Sequence, residues 1–376
     1  MLDRLPTELL LLIFELMWSS TPDEGQRDAH FLAYSLVSRR LHRFALPFLW
    51  RSVRFDLTTA AHRAKLREIA SSDDKAQLVR SLFLDMGSRI PRAESTKRNG
   101  CEVVCKFINL EELRVKGWFG RSHIQRDLLN HLSHLRSLRL ADLALPLSEP
   151  LTFPNLSELF ISGLFRSSWK ASTAQISPLL NTATVPSLHT LAIEKSHTSR
   201  LSSWTYFPRL PNDLLSRLRV IQVYTSFYAE LPSSLSNLKT PSLLKLITRL
   251  NRYDVDYLPA RSASFSPYVL EINDYQTLHA VDCRIRAYTS NPFAWPLPLA
   301  IFVASYLYLA TDSSTQRHID SLQMICETHN IRLIREEETD DDDYGLVTSS
   351  QFRTFCEAFK AQRALAEEAT ASEASS

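Results

Sequence analysis

Glycine is nearly missing from this chain: 7 residues in 376, where an average protein carries about 7%. Phosphate-cradling loops, dinucleotide turns and nucleophile elbows need glycine wherever the backbone must approach a ligand or take positive φ. No G-x-G-x-x-G, G-x-x-x-x-G-K-[ST] or G-x-S-x-G occurs, which sets nucleotide-dependent and α/β-hydrolase chemistry aside. Cysteine is sparse too. Cys101, Cys105, Cys283, Cys326 and Cys356 are an odd set without a C-x-x-C pair, as suits a reducing compartment rather than a disulfide framework. Cys101 and Cys105 stand four apart and His131 and His134 three apart, but a zinc site needs four convergent ligands at motif spacing, and these do not supply them. Neither a metal nor a cofactor is expected.

Long apolar runs are also lacking. The run from Leu9 to Phe14 is hemmed in by Asp3, Arg4, Pro6, Glu8 and Glu15, unlike a secretion signal. The nearest approach to a membrane span, Trp295 to Ala310, contains Pro296 and Pro298 and falls short of the ~20 apolar residues a span needs. A soluble, intracellular protein of the cytoplasm or nucleus is expected. Whole-chain charge is close to balance, 43 basic against 41 acidic residues, so composition points to no nucleic-acid partner. The balance hides an asymmetry: from Glu336 onward there are 11 acidic and 3 basic residues, so a tail of net −8 follows a body of net +10.

What is present begins with a greasy helix. Residues 5–17 read as helical, with Pro6 at the first helical position and Glu8 complementing the dipole in the first turn. Leu9, Leu10, Leu11, Leu12, Ile13 and Phe14 cover most of its circumference, so it must be buried all round, by its own chain or in part by a partner. A polar stretch from Ser19 to Asp28, with Pro22 and Gly25, is expected to break the helix. Phe31 to Val37 then forms a short apolar helix. Ser38 caps a third, Arg39 to Ala45, that ends before Pro47. Phe48, Leu49 and Trp50 close a three-helix docking module.

The combination Leu-Pro-x-Glu-Leu-Leu-x-x-Ile-Phe at 5–14, Leu-Val-Ser-Arg at 36–39 and Pro-Phe-Leu-Trp at 47–50 resembles the F-box across residues 3–51, with a longer polar loop at 19–29 than the shortest members have. The resemblance implies a module that docks on the Skp-type linker of an SCF (Skp–cullin–F-box) ubiquitin ligase and, through it, meets a cullin. The positions it carries over for linker binding are Leu5, Pro6, Leu9, Leu10, Ile13, Val37, Leu49 and Trp50. Sequence leaves open which of them face the partner and which fill the module's own core.

A pattern Leu-x-x-Leu-x-Leu then recurs, often after Asn, His or Ser. It starts at Leu110, Leu135, Leu156, Leu188 and Leu218, with a weaker copy at Val79. The last two apolar positions of each copy point to one face of a short strand. No copy buries that face alone, so the copies must stack into one parallel sheet with helices or irregular segments behind it. The region resembles an irregular leucine-rich-repeat solenoid, making the fold α/β; an ordinary α/β domain with leucine-rich strands is the alternative. After Val223 the pattern fades; Val269–Ile272 and Cys283–Arg286 are candidate further strands, and a helix from Thr315 to Asn330 with a strand at Ile331–Ile334 suits a closing repeat.

The expected concave face carries Glu112, Arg114, Ser137, Arg139, Glu158, Phe160, Thr190, Ala192, Val220 and Gln222. Of these Glu112, Arg114, Arg139 and Phe160 are the candidate target-binding residues. Their mixed charge suits a protein target better than a nucleic acid, which asks for a basic stripe with interleaved aromatics. Arg114 and Arg139, one repeat apart, could take a phosphate, although plain surface charge is the preferred reading. Seven acids in the eight positions 336–343 repel one another and make a solvated linker. Beyond it Ser350 can cap a helix with Phe352, Phe355 and Phe359 on one stripe, either folded back on the body, the preferred reading, or engaged by a partner. Residues 369–376 are expected to be disordered.

The expected organisation is therefore an F-box at 1–55, a solenoid at 56–335, an acidic linker at 336–348, and a C-terminal helix with its end at 349–376. It describes a substrate-recognition subunit without a catalytic residue of its own, or an adaptor that binds the linker without a cullin. An enzyme built on Cys105 or Cys283 with a distant histidine is the remaining catalytic reading.

Overall fold

The computed structural model describes residues 5–21, 24–85, 103–116, 132–141, 152–161, 181–193, 211–226, 243–249, 268–272, 299–309 and 312–336, with parts of 275–282 and 354–362. The chain divides into two compact units. The first comprises Met1–Leu191, Ser196–Ser199 and Arg209–Leu218; the second comprises Ala192–Lys195, Arg200–Pro208 and Arg219–Ser376.

The first unit opens with three helices, α1 (Thr7–Ser20), α2 (Glu24–Val37) and α3 (Arg39–Leu49). Each of the three helix expectations is adjusted at an end. Pro6 is the residue before α1, extended at φ −54° and ψ 150°, rather than its first helical residue; its carbonyl still accepts from the Leu10 N–H at 3.1 Å. Helix α2 resumes at Glu24, so much of the polar stretch is helical. Gly25 stands in the first turn, at the frayed end of the helix, where its entropic cost is smaller than in the interior. Ser38 caps α3 as expected, its hydroxyl accepting from Leu41 N–H. However, α3 continues through Pro47 to Leu49. Near a helix end the ring removes one donor and little helix is left to disturb.

Leu10, Phe14, Phe31, Leu41, Ala45 and Phe48 form the core of the three helices. The Phe31 and Phe48 rings stack at 4.9 Å, and Phe14 meets them edge-on at 5.5 and 5.7 Å. These are the offset and T-shaped arrangements that ring quadrupoles favour.

Two residues after α3 the chain enters a parallel sheet: β1 (Ser52–Asp56), β2 (Ser81–Asp85), β3 (Glu112–Lys116), β4 (Ser137–Ala141) and β5 (Glu158–Ile161) pair in chain order. Strand β1, and helix α4 (Ala60–Ser71) behind it, were not expected from the pattern, and the sheet begins inside the stretch assigned to the helical module. The Leu-x-x-Leu-x-Leu copies fall in register: Leu82, Leu113, Leu138 and Leu159 lie side by side, as do Leu84, Val115, Leu140 and Ile161, and all eight are buried.

One carbonyl at the start of each step accepts two N–H groups of the next. Arg51 takes Arg80 and Ser81, Arg80 takes Glu111 and Glu112, and Glu111 takes Arg136 and Ser137. Arg136 then takes Ser157 and Glu158, and Ser157 takes His189 and Thr190, the last at the start of β6 (Thr190–Ile193). The polar residue before the leading leucine also has a function. Asn109 Nδ2 donates to Gln77 O at 2.9 Å, Asn155 Nδ2 to Ser133 O at 2.7 Å and Ser187 Oγ to Pro154 O at 2.7 Å. Each is a stitch to the preceding copy that satisfies a loop carbonyl.

The second unit holds β7 (Val220–Ser226), β8 (Leu243–Arg249), β9 (Tyr268–Ile272), β10 (Ala300–Ala304) and β11 (Arg332–Glu336), parallel and paired in that order. Strand β9 was expected; β8 and β10 were missed, and the candidate strand at Cys283–Arg286 lies outside the described residues. Helix α5 (Ser313–Thr328) starts on Asp312, whose carboxylate accepts from the N–H groups of Ser314 and Thr315. It stops where Asn330 turns to φ 55°, and the Ile331 N–H returns to Cys326 O at 2.8 Å. That is a Schellman ending in which asparagine substitutes for glycine. Among the described residues no helix is long and apolar enough to cross a membrane.

Candidate protein-docking surfaces

Helix α1 resolves its all-round greasiness into two stripes. Leu10 and Phe14 face inward and are fully buried, whereas Leu9, Leu12 and Leu16 keep 47%, 55% and 58% of their surface exposed. These three are spaced i, i+3, i+7, a single ridge along the helix, while Leu11, 41% exposed, lies off that ridge. Helix α2 adds Leu32 and Leu36, four apart, and Val37, all exposed. Exposed leucines in a ridge along α1, with a second exposed pair on α2, exceed the single scattered apolar residues of an ordinary surface.

The eight positions expected to face a linker protein are divided by the structure. Pro6, Leu9 and Val37 are exposed; Leu5, Ile13, Leu49 and Trp50 are half-buried. Leu10 is corrected: with no exposure it fills the module's own core. Leu5 is nevertheless placed firmly, since Arg40 Nη2 donates to its carbonyl at 2.7 Å. Lys75 lies over the Trp50 ring, Nζ 5.4 Å from its centre. Leu12, Leu16, Leu32 and Leu36 were missed. A helix apolar on every side gives no signal for choosing between its stripes, but the i, i+4 pair Leu32 and Leu36, off the Phe31 face of α2, was a usable one.

The outward sheet face of the first unit carries the row Arg54, Phe83, Arg114, Arg139 and Phe160, each beside the next in register. Arg54 lies 4.4 Å over the Phe83 ring and Arg139 4.6 Å over Phe160, cation–π contacts that hold the guanidinium planes flat on the sheet. Glu112 sits among them. Arg114 Nε donates to its Oε1 at 2.9 Å, Arg139 Nε lies 3.6 Å from the same oxygen, and Ser81 Oγ donates to its Oε2 at 3.1 Å. Burial alone would raise the carboxyl pKa, but the two guanidinium charges and these hydrogen bonds outweigh it, and the pKa falls below its ordinary value.

Two of the four expected target-facing residues are thus corrected: Arg139 and Phe160 are buried, each shielding the other. Glu112 and Arg114 remain partly open, and Glu112 offsets one of the two positive charges of the arginine pair considered for phosphate. The outermost cation is Arg54, which is exposed and was not singled out from sequence.

The second unit brings an aspartate, a histidine and a serine together. Asp282 is wholly buried, His318 Nδ1 lies 2.7 Å from its Oδ2, and Ser321 Oγ donates to its Oδ1 at 2.7 Å. The residue types are those of a nucleophilic triad, but the order is wrong: the serine bonds the carboxylate rather than the far nitrogen of the histidine. The arrangement satisfies a buried carboxylate and ties α5 to residues 281–282. Cys326 is no nucleophile either, since burial and then Glu327 push its thiol up to about 12. Cys105 is half-buried, and Cys283 lies outside the described residues. Among the described residues no group of three or more His, Cys, Asp or Glu could hold a metal ion.

Three helices closed on an aromatic core, with leucines left outside, make a protein-docking module, followed by an α/β region with a parallel sheet. Residues 2–56 match the family described as F-box-like. No curated protein matches the chain. F-box domains generally bind Skp-type proteins and are typically non-catalytic adaptor modules, and the match over residues 2–56 suggests a role in protein–protein interaction or as an adaptor of SCF-type ubiquitin ligation.

Proposed function

We propose that this chain is the substrate-recognition subunit of an SCF ubiquitin ligase, working inside the cell. Residues 1–55 dock on a Skp-type linker, which brings a cullin, while the region 56–335, an irregular leucine-rich-repeat solenoid, holds a protein target. Residues 336–348 are an acidic linker and 349–376 carry the C-terminal helix. Catalysis is then proximity, the target being held near a ubiquitin-charged enzyme bound elsewhere on the assembly. The observation that carries this reading is the Leu9–Leu12–Leu16 ridge, left exposed over a complete aromatic core within the F-box-like segment.

On the linker side Leu5, Pro6, Ile13, Val37, Leu49 and Trp50 flank that ridge. On the target side the open residues are Arg54, Glu112 and Arg114. Burying one half-exposed leucine contributes about 1 kcal/mol, so the ridge supports a micromolar contact only together with its flanks.

The test is co-purification of the tagged full-length chain with the linker and a cullin, beside L9D/L12D. Wild type is expected to bring down both and the variant neither. Linker without cullin assigns the chain to an adaptor role outside ligation. Capture of neither by wild type removes the F-box function altogether.

A further inference from the structure

Strand β10 is buried on both faces. In β2 and β3 burial alternates, so that one face is closed and the other half-open. In β10, Ala300, Ile301, Phe302 and Val303 are all buried, which requires a cover on each side. Register sets Ile301 beside Leu270 and Leu333 on one face. On the other, Ala300 adjoins Val269 and Phe302 adjoins Ile334. The cover there comes from beyond the acidic run: buried Phe355 and Cys356, with half-buried Phe359, complete a cluster with Val220, Val269, Ala300 and Phe302.

The Phe355 ring meets Phe302 edge-on at 5.8 Å, stacks on Phe359 at 6.5 Å and lies 5.8 Å below the Arg332 guanidinium. The covering backbone is helical at 354–356, 358–359 and 361–362. The expectation that this stripe folds back is met for Phe355 and Phe359; Phe352 lies outside the described residues.

We propose that this face of β9–β11 is a docking site for an amphipathic helix bearing aromatic side chains four residues apart, with residues 354–362 as its resident, exchangeable occupant. The resident is held by one stripe only: Thr354, Ala358, Ala361 and Gln362 are exposed. Seventeen residues separate Glu336 from Thr354, and a tether of that length keeps the occupant at an effective concentration on the order of mM. A free peptide of the same sequence therefore competes poorly with the tail. The geometry is independent of the F-box reading and survives its failure.

The test uses a fluorescein-labelled peptide of residues 350–365, titrated into the full-length wild type and full-length F355A/F359A, with thermal unfolding of both. The variant is expected to unfold cooperatively and to bind the peptide at least tenfold tighter than wild type, whose site is filled in cis. A peptide with both phenylalanines replaced by alanine is expected not to bind. Equal binding by both proteins, no binding by a folded variant, or loss of cooperative unfolding overturns the proposal, the last by making the helix part of the core. Hydrogen exchange of the wild type gives a second measurement: amides of 354–362 are expected to exchange at least 100-fold faster than those of α5, and equal protection overturns exchangeability.

Discussion

Arg51 Nη1 donates to both carboxylate oxygens of Glu15, at 3.0 and 2.8 Å, while the carbonyl of the same Arg51 receives the N–H groups of Arg80 and Ser81. One residue therefore belongs to the helical module by its side chain and to the sheet by its backbone. Its guanidinium also lies 5.4 Å over the Trp18 ring. Under the proposed function, the angle between these helices and the sheet would set where a target's lysines fall.

Because Glu15 is exposed and Arg51 only half-buried, the electrostatic contribution of the pair is small. R51A is expected to lower stability by about 0.5–1 kcal/mol, and the swap E15R/R51E to recover part of the loss at low salt. Urea unfolding at two salt concentrations checks both. A loss above about 3 kcal/mol would mean that the backbone ladder had been disturbed as well.

The ridge and the core of α1 should separate cleanly on mutation. L12D and L16D are expected to abolish linker capture with little change in thermal midpoint, because both side chains are already in water. L10A is expected to cost about 2–5 kcal/mol of unfolding free energy, with capture lost only in proportion to unfolding. Paired pull-down and denaturation measurements would show the opposite pattern if the stripes were assigned the wrong way round.

The boundary between what was legible and what was not follows from the same helix. Leu10 and Leu12 are chemically identical, and only the positions of Phe31 and Phe48 decide which one is core. The strands from β2 to β7 were legible because each copy repeats two inward apolar positions at a spacing that parallel stacking demands. Strand β10 was hidden by the feature that gives it its role: buried on both faces, it reads as a continuous apolar run beside two prolines, without alternation. The openness of Arg139 and Phe160 was overestimated because period-two logic gives the face a side chain takes and says nothing about a guanidinium lying flat over its neighbour's ring.

Glu112 gives a pH signature. Its folded pKa lies below the ordinary 4.5, so the stability it contributes is fully present above that value and is lost as pH falls through the folded pKa. E112Q is expected to lose about 2 kcal/mol at pH 7, since two guanidinium groups are left without their carboxylate, and to show a flatter decline between pH 5 and 3 than wild type. Urea midpoints across that range decide; parallel curves would exclude Glu112 as a source of the acid sensitivity.

Thiol reactivity should follow burial. At pH 8 the native protein is expected to be alkylated by iodoacetamide at half-buried Cys105 well before buried Cys326, whose thiol is pushed up to about 12. Peptide mass spectrometry over a time course reads the order. Early labelling of Cys356 alone would point to opening of the C-terminal helix and would agree with its exchange.

The Asp282 cluster separates structure from chemistry. D282A removes a wholly buried carboxylate that holds both His318 and Ser321. The loss leaves two donors on α5 to find new partners, and it is expected to cost about 3–5 kcal/mol. S321A removes a single hydrogen bond and should cost about 1–3 kcal/mol. Neither change is expected to affect linker capture by whatever fraction remains folded, because the cluster belongs to the second unit and the leucine ridge to the first. If S321A instead abolished a hydrolytic activity in the purified chain at unchanged stability, the cluster would be a catalytic site in spite of its bonding order.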